Sequence, residues 1–146
     1  MINLRKSLEK DISSFIEMEN SDGAAQYITP YSVQQHQQEM RQSDVIYLSI
    51  LSNETLAGFI ILATNADLVS VEFRRIVVAS KGNGIGQLAI EAMEVYCTDV
   101  LCCNRIWLDV FESNKRGQHI YQKLGYRKFK SEPYGDNILL YMEKRF

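Results

Sequence analysis

The stretch 74-RRIVVASKGNGIGQLAIEAM-93 changes its hydrophobic period halfway along. Its first part, ending in Ile76, Val77 and Val78, is a short continuous apolar run bounded by a turn signal, as a buried strand carries. Its second part starts a helical face: Ile85, Leu88, Ala89, Ala92, Met93, Tyr96 and Val100 recur at helical spacing. Between the two, Gly82, Gly84 and Gly86 alternate where the helix must begin. The first N–H groups of a helix have no partner within it, and they carry the positive end of its dipole. Glycines let an anion come close to that backbone, so the junction reads as a phosphate cradle. A plain tight turn accounts for glycines equally simply, and the anion must be identified from other residues.

Working outward, residues 2–6 alternate weakly as a first strand, and residues 8–18 carry one apolar helical face. Gly23 and Pro30 break the stretch 19–32, and Ser32 is placed to cap a polar helix that follows. Residues 45–51 and 55–64 form a hairpin across Ser52-Asn53-Glu54, and residues 69–79 add a third antiparallel strand. After the long helix come a strand at 105–112, a helix at 115–125 ending on Gly125, a strand at 126–130, a turn at Pro133-Tyr134-Gly135-Asp136 and a last strand at 137–145. The fold class is α+β: one mixed, mostly antiparallel sheet of six to seven strands with about four helices, in a single domain over residues 1–146.

Composition narrows the function classes. The chain has 146 residues and a formal net charge of −2, with Lys and Arg scattered, so no broad basic face for nucleic acid is expected. No apolar run has the length of a membrane span, the N-terminal residues lack a signal-peptide core, and a cytoplasmic location is the expectation. Cys97, Cys102 and Cys103 lack metal-ligand spacing; reduced cysteines packed at a helix end are expected, and no metal.

Three phosphate-binding patterns compete for the glycine turn. A P-loop requires Lys-Ser or Lys-Thr after its last glycine, and neither is present. A dinucleotide fingerprint requires G-x-G-x-x-G, whereas the spacing here is G-x-G-x-G and the preceding strands are joined by hairpins. The third pattern fits: Lys81-Gly82-Asn83-Gly84-Ile85-Gly86 resembles the R/Q-x-x-G-x-G/A signature of the GNAT superfamily of acetyl-CoA-dependent N-acetyltransferases, with Lys81 in place of Arg or Gln. Downstream, 108-LDVFESNKRGQHIYQKLGYRKF-129 is similar to the family's second coenzyme A motif at Asn114, Tyr121 and Leu124-Gly125-Tyr126.

The resemblance implies a sheet splayed between the strands 69–79 and 105–112, with acetyl-CoA as cosubstrate. It implies that the backbone at Ile76, Val77 and Val78 lines the pantetheine arm, with the Val78 N–H polarising the thioester carbonyl. The side chains of the same three residues suit sheet core. The pyrophosphate would lie over residues Gly82 to Gly86, beside Lys81, with Asn83 and Ile85 contributing backbone. Asn114 would contact the cofactor or cap the helix beginning at Lys115. Tyr121 would protonate the leaving thiolate, or else pack beside Ile120 and Leu124. Glu72 is the expected general base, with an ion pair to Arg74 or Arg75 as its structural alternative; Asp109 is a weaker second candidate, for which a structural role is the simpler account. Tyr27, Tyr31, His36 and Tyr134 fall in segments that would meet the acceptor, although exposed loop aromatics and a solvated histidine are the simpler account. The implied activity is transfer of acetyl from acetyl-CoA to a primary amine on a protein N-terminus, a lysine or a small molecule, by direct attack. The alternative is a non-catalytic acyl-CoA-binding sensor or scaffold. No nucleic-acid or membrane partner is implied, and a homodimer is left open.

Overall fold

The computed structural model describes residues 1–21, 27–79 and 83–146. Along the chain, β1 (Ile2–Lys6) leads through a 3₁₀ turn into helices α1 (Ile12–Glu19) and α2 (Val33–Arg41). Strands β2 (Val45–Ser52), β3 (Thr55–Thr64) and β4 (Ser70–Val78) follow, then α3 (Ile85–Asp99), β5 (Arg105–Phe111), α4 (Lys115–Lys123), β6 (Arg127–Tyr134) and β7 (Asn137–Arg145). All seven strands join in one sheet, ordered β1-β2-β3-β4-β5-β7-β6. Every pairing is antiparallel except β4 with β5, which the α3 crossover makes parallel.

Local chemistry sets the boundaries. Asn53 and Glu54 both take positive φ, at 49° and 70°, the pattern of a two-residue hairpin turn between β2 and β3. Ser32 caps α2 through a reciprocal pair of bonds with Gln35. Two expectations about these elements need correction. Strand β6 runs on to Tyr134, so Pro133 lies within a strand rather than in the turn; β6 is an edge of the sheet, where a residue without an N–H is tolerated. The buried face of α3 is Ala89, Ile90, Met93, Glu94 and Cys97, while Leu88 is exposed. Glu94 is accommodated there because it accepts from the Tyr126 hydroxyl at 2.9 Å and pairs with Lys144 at 3.1 Å.

The sheet separates two cores. Leu48, Ile50, Ile60, Leu62, Val71, Phe73 and Ile106 pack beneath α3, together with Tyr121 and Leu124 from the α4 region. Phe15, Val45, Tyr47, Phe59, Ile61 and Val77 pack on the opposite face with α1. That second core encloses a polar cluster. His36 is fully buried, with Nε2 2.7 Å from Glu19 and Nδ1 2.7 Å from the Tyr47 hydroxyl. The Glu19 carboxylate accepts from Nε2, and the Tyr47 hydroxyl and Nδ1 share a second hydrogen bond. Burial pushes the Tyr47 phenol well above its ordinary range, which keeps its proton in place. Arg75 closes the cluster with an ion pair to Glu19. His36 is therefore a core residue, contrary to its expected place at the surface; its polar helix is held to α1 by Glu19 and to the sheet by Tyr47.

Candidate active site

Pairing between β4 and β5 covers only Ser70–Arg105, Val71–Ile106 and Glu72–Trp107, after which the strands part. On its other side β4 stays paired with β3 as far as Val78. The Ala79 N–H donates to Ala57 on β3, so by strand alternation the N–H groups of Val78 and Ile76 turn toward the gap. The N–H of Val77 turns toward β3, and its side chain is core. Gly58 opposite Val78 permits this arrangement, because a Cβ there would stand 2.3 Å from the Val77 carbonyl oxygen.

The gap is a cleft of about 700 Å³. The start of α3 borders it with Gly84, Ile85, Gly86 and Gln87. Gly84 is the N-cap of α3 at φ 73°, a left-handed backbone that favours glycine, and the space where its Cβ would stand is empty. Lys81 and Gly82 lie outside the described residues, and Asn83 is exposed beside the cradle. Asn114 lines the cleft and also caps α4, accepting from the Gly117 N–H at 2.9 Å. Arg116, which sequence reasoning passed over, is a cleft-lining cation one residue into α4.

Tyr121 reaches the cleft from α4, its ring edge-on to Phe73 and Tyr126. Burial, and then the charge of Asp109, push its phenol up to about 12, so it holds its proton at neutral pH. Asp109 lines the same cleft. Solvent reaches it at the mouth, yet the surrounding walls partly dehydrate its carboxyl. This raises its pKa, the charge of Glu72 raises it further, and Arg74 opposes both.

Glu72 stands differently. Arg74 is the extra residue of a β-bulge, since Phe73 opposes Leu62 and Arg75 opposes Ile61. Its guanidinium binds Glu72 at 2.9 Å and Glu39 of α2 at 3.4 Å. Arg75 donates to the Thr29 carbonyl at 2.9 Å and stacks on Tyr31 at 4.1 Å, pinning the segment that brings Tyr27, Ile28 and Thr29 to the cleft. Of the four residues expected near an acceptor, Tyr27 and Tyr134 border the cleft, whereas Tyr31 covers Arg75 and His36 is core. Cys97 and Cys103 are buried free thiols, and burial pushes Cys97 up to about 12. Among the described residues no group of His, Cys, Asp or Glu could hold a metal ion, and no helix is long and apolar enough to cross a membrane.

A strand edge with outward N–H groups, a glycine-capped helix start and a phenol that keeps its proton fit acetyl-CoA, which needs a backbone to bind along, a phosphate cradle and a proton for its sulfur. The chain belongs to the acetyltransferase (GNAT) family, whose sequence model matches residues 12–126, and is an acyltransferase that uses acetyl-CoA. The fold agrees with solved structures at low identity. Spermidine N-acetyltransferase from Vibrio cholerae in complex with CoA and spermine is 19% identical with a TM-score of 0.85, covering 99% of this chain and 95% of that one. Aminoglycoside acetyltransferase AAC(6')-Ib in complex with coenzyme A and kanamycin is 18% identical with a TM-score of 0.83, at the same coverage of 99% and 95%. No curated protein matches the sequence.

Proposed function

We propose that the protein acetylates a primary amine by direct attack on acetyl-CoA held in the cleft between β4 and β5, with Tyr121 as general acid and Asp109 as general base. The observation that carries this reading is the early parting of the two strands, which turns the Ile76 and Val78 N–H groups, Asp109 and Tyr121 into one space. Acetyl-CoA supplies the activated acyl carbon. Ile76 and Val78 would bind its pantetheine arm as an added strand, and the Val78 N–H would stabilise charge developing on the thioester oxygen. The start of α3 would take the pyrophosphate over the backbone of Asn83 to Gly86, with Lys81 and Gly82 completing the loop. Arg116 adds a cation on the α4 side.

The chemistry needs two proton movements. An amine of ordinary pKa, about 10.4 for a lysine-like amine, must lose a proton to attack, and the departing sulfur must gain one. We assign the first to Asp109 and the second to Tyr121, both of which line the cleft. Glu72, the base expected from sequence, is engaged by Arg74, and we assign it to holding Arg74 rather than to proton transfer.

Replacement of Tyr121 by Phe tests this reading. CoA affinity by calorimetry should persist while kcat falls by about 10²-fold or more. An unchanged kcat would remove Tyr121 from the reaction.

A further inference from the structure

The part of the cleft beyond Asp109 carries a pattern that acetyl transfer alone does not require. Alternation along β5 puts Phe111 on the same face as Asp109. Leu139 opposes Phe111 across β7, and the Tyr134 ring meets Phe111 edge-on at 5.7 Å. Tyr27 and Ile28 border the same cleft from the segment before α2. The acceptor end is thus walled by rings and aliphatic side chains.

Its charges are largely committed already. Three glutamates are each engaged by an arginine of β4. Glu72 and Glu39 bind Arg74, and Glu19 binds Arg75 while also accepting from His36. Among the described residues lining the cleft, Asp109 is the carboxylate, and the cations are Arg74 and Arg75 at this end and Arg116 on the α4 side. An acceptor with one ammonium can set it at Asp109. Among the described lining residues, a polyamine or aminoglycoside would meet two guanidinium groups or apolar walls with its further ammonium groups.

We propose that the acceptor is a small primary amine on an aromatic or apolar body with no second positive charge, and that Phe111 reads that body. The proposal rests on the amine-acetyltransfer reading above. In the reaction the amine nitrogen forms a bond to the acetyl carbon and the carbon–sulfur bond breaks. The ammonium gives one proton to Asp109 before the attack; the nitrogen sheds a second as the intermediate collapses, and through solvent that proton replaces the one Tyr121 gives to the sulfur.

The test compares 2-phenylethylamine, n-butylamine, spermidine and kanamycin as acceptors, following CoA release with the full chain, beside calorimetric CoA binding. The expected kcat/KM for 2-phenylethylamine exceeds those for spermidine and kanamycin by about tenfold or more, the scale of one well-made ring contact. Phe111→Ala should lower kcat/KM for 2-phenylethylamine by about tenfold, lower that for n-butylamine, which has less surface to lose, by a smaller factor, and leave CoA binding intact. Spermidine or kanamycin used as well as or better than 2-phenylethylamine would overturn the proposal. So would equal losses for both small amines in Phe111→Ala, or a protein that binds CoA and acetylates none of the four. Failure to bind CoA at all would instead overturn the acetyltransfer reading on which the proposal rests.

Discussion

At the scale of single residues, Asp109 and Glu72 show how position outweighs residue type. Both are acids on the strands flanking the gap, yet Glu72 sits where β4 and β5 still pair and Asp109 sits beyond the point where they part. The bulge at Arg74 decides the rest, since it gives Glu72 a guanidinium partner. A bulge has no reliable signature in a run such as 70-SVEFRRIVV-78, which is why the ion pair and the base were equally legible alternatives there. With its pKa raised by burial and by Glu72, Asp109 must lose its proton before it can act. The acid limb of kcat/KM should therefore lie above the usual aspartate range. Asp109→Asn should remove that limb along with most of the activity, whereas Glu72→Gln should keep it. The stability sign is opposite to the activity sign. A carboxyl whose folded pKa is raised contributes stability below its unfolded pKa and loses it as pH rises through the folded value. At neutral pH Asp109→Asn should accordingly melt no lower than the parent, and any advantage should vanish below about pH 4. Thermal melts across that range check it.

Among the elements, the strand–helix junction and α4 were the most legible. The change of period at the glycines marks the end of β4 and the start of α3, and Asn114, Lys115 and Gly125 bracket α4. The face of α3 was less so. Leu88 fits the apolar repeat yet is exposed, and Glu94 breaks it yet is buried, because Tyr126 and Lys144 come from distant parts of the chain to satisfy it. Side-chain pattern alone does not record such partners. The cradle is a property of the junction as a whole: the left-handed Gly84 aims the first turn of α3 at the cleft. Gly84→Glu should strain that backbone and set a carboxylate beside the pyrophosphate position, abolishing CoA binding in calorimetry while the protein still melts cooperatively. Undiminished CoA affinity would place the phosphates elsewhere.

For the whole molecule, the β2–β3–β4 meander followed from the hairpin pattern and the splay from the family resemblance, but the place of β7 between β5 and β6 and the buried Glu19–His36–Tyr47–Arg75 cluster did not. Its members come from α1, α2, β2 and β4, and each looks like a surface residue in its own segment. The cluster ties the two helices, the segment at Thr29 and the strand that borders the cleft into one unit. Arg75→Met would leave Glu19 buried without its cation, and by analogy with other broken buried pairs should cost roughly 3–5 kcal/mol in urea unfolding. A loss below about 1 kcal/mol, the scale of an exposed pair, would contradict the cluster's structural role. The central claim, that this cleft passes acetyl directly from acetyl-CoA to an amine, is tested most directly by rapid-quench mass spectrometry of the protein with acetyl-CoA and 2-phenylethylamine. The expected result is acetylated amine and free CoA in equal amounts with the chain itself unmodified. An acetyl group carried first on Cys97, Cys102 or Cys103, or CoA retained with no acetylated amine, would contradict it.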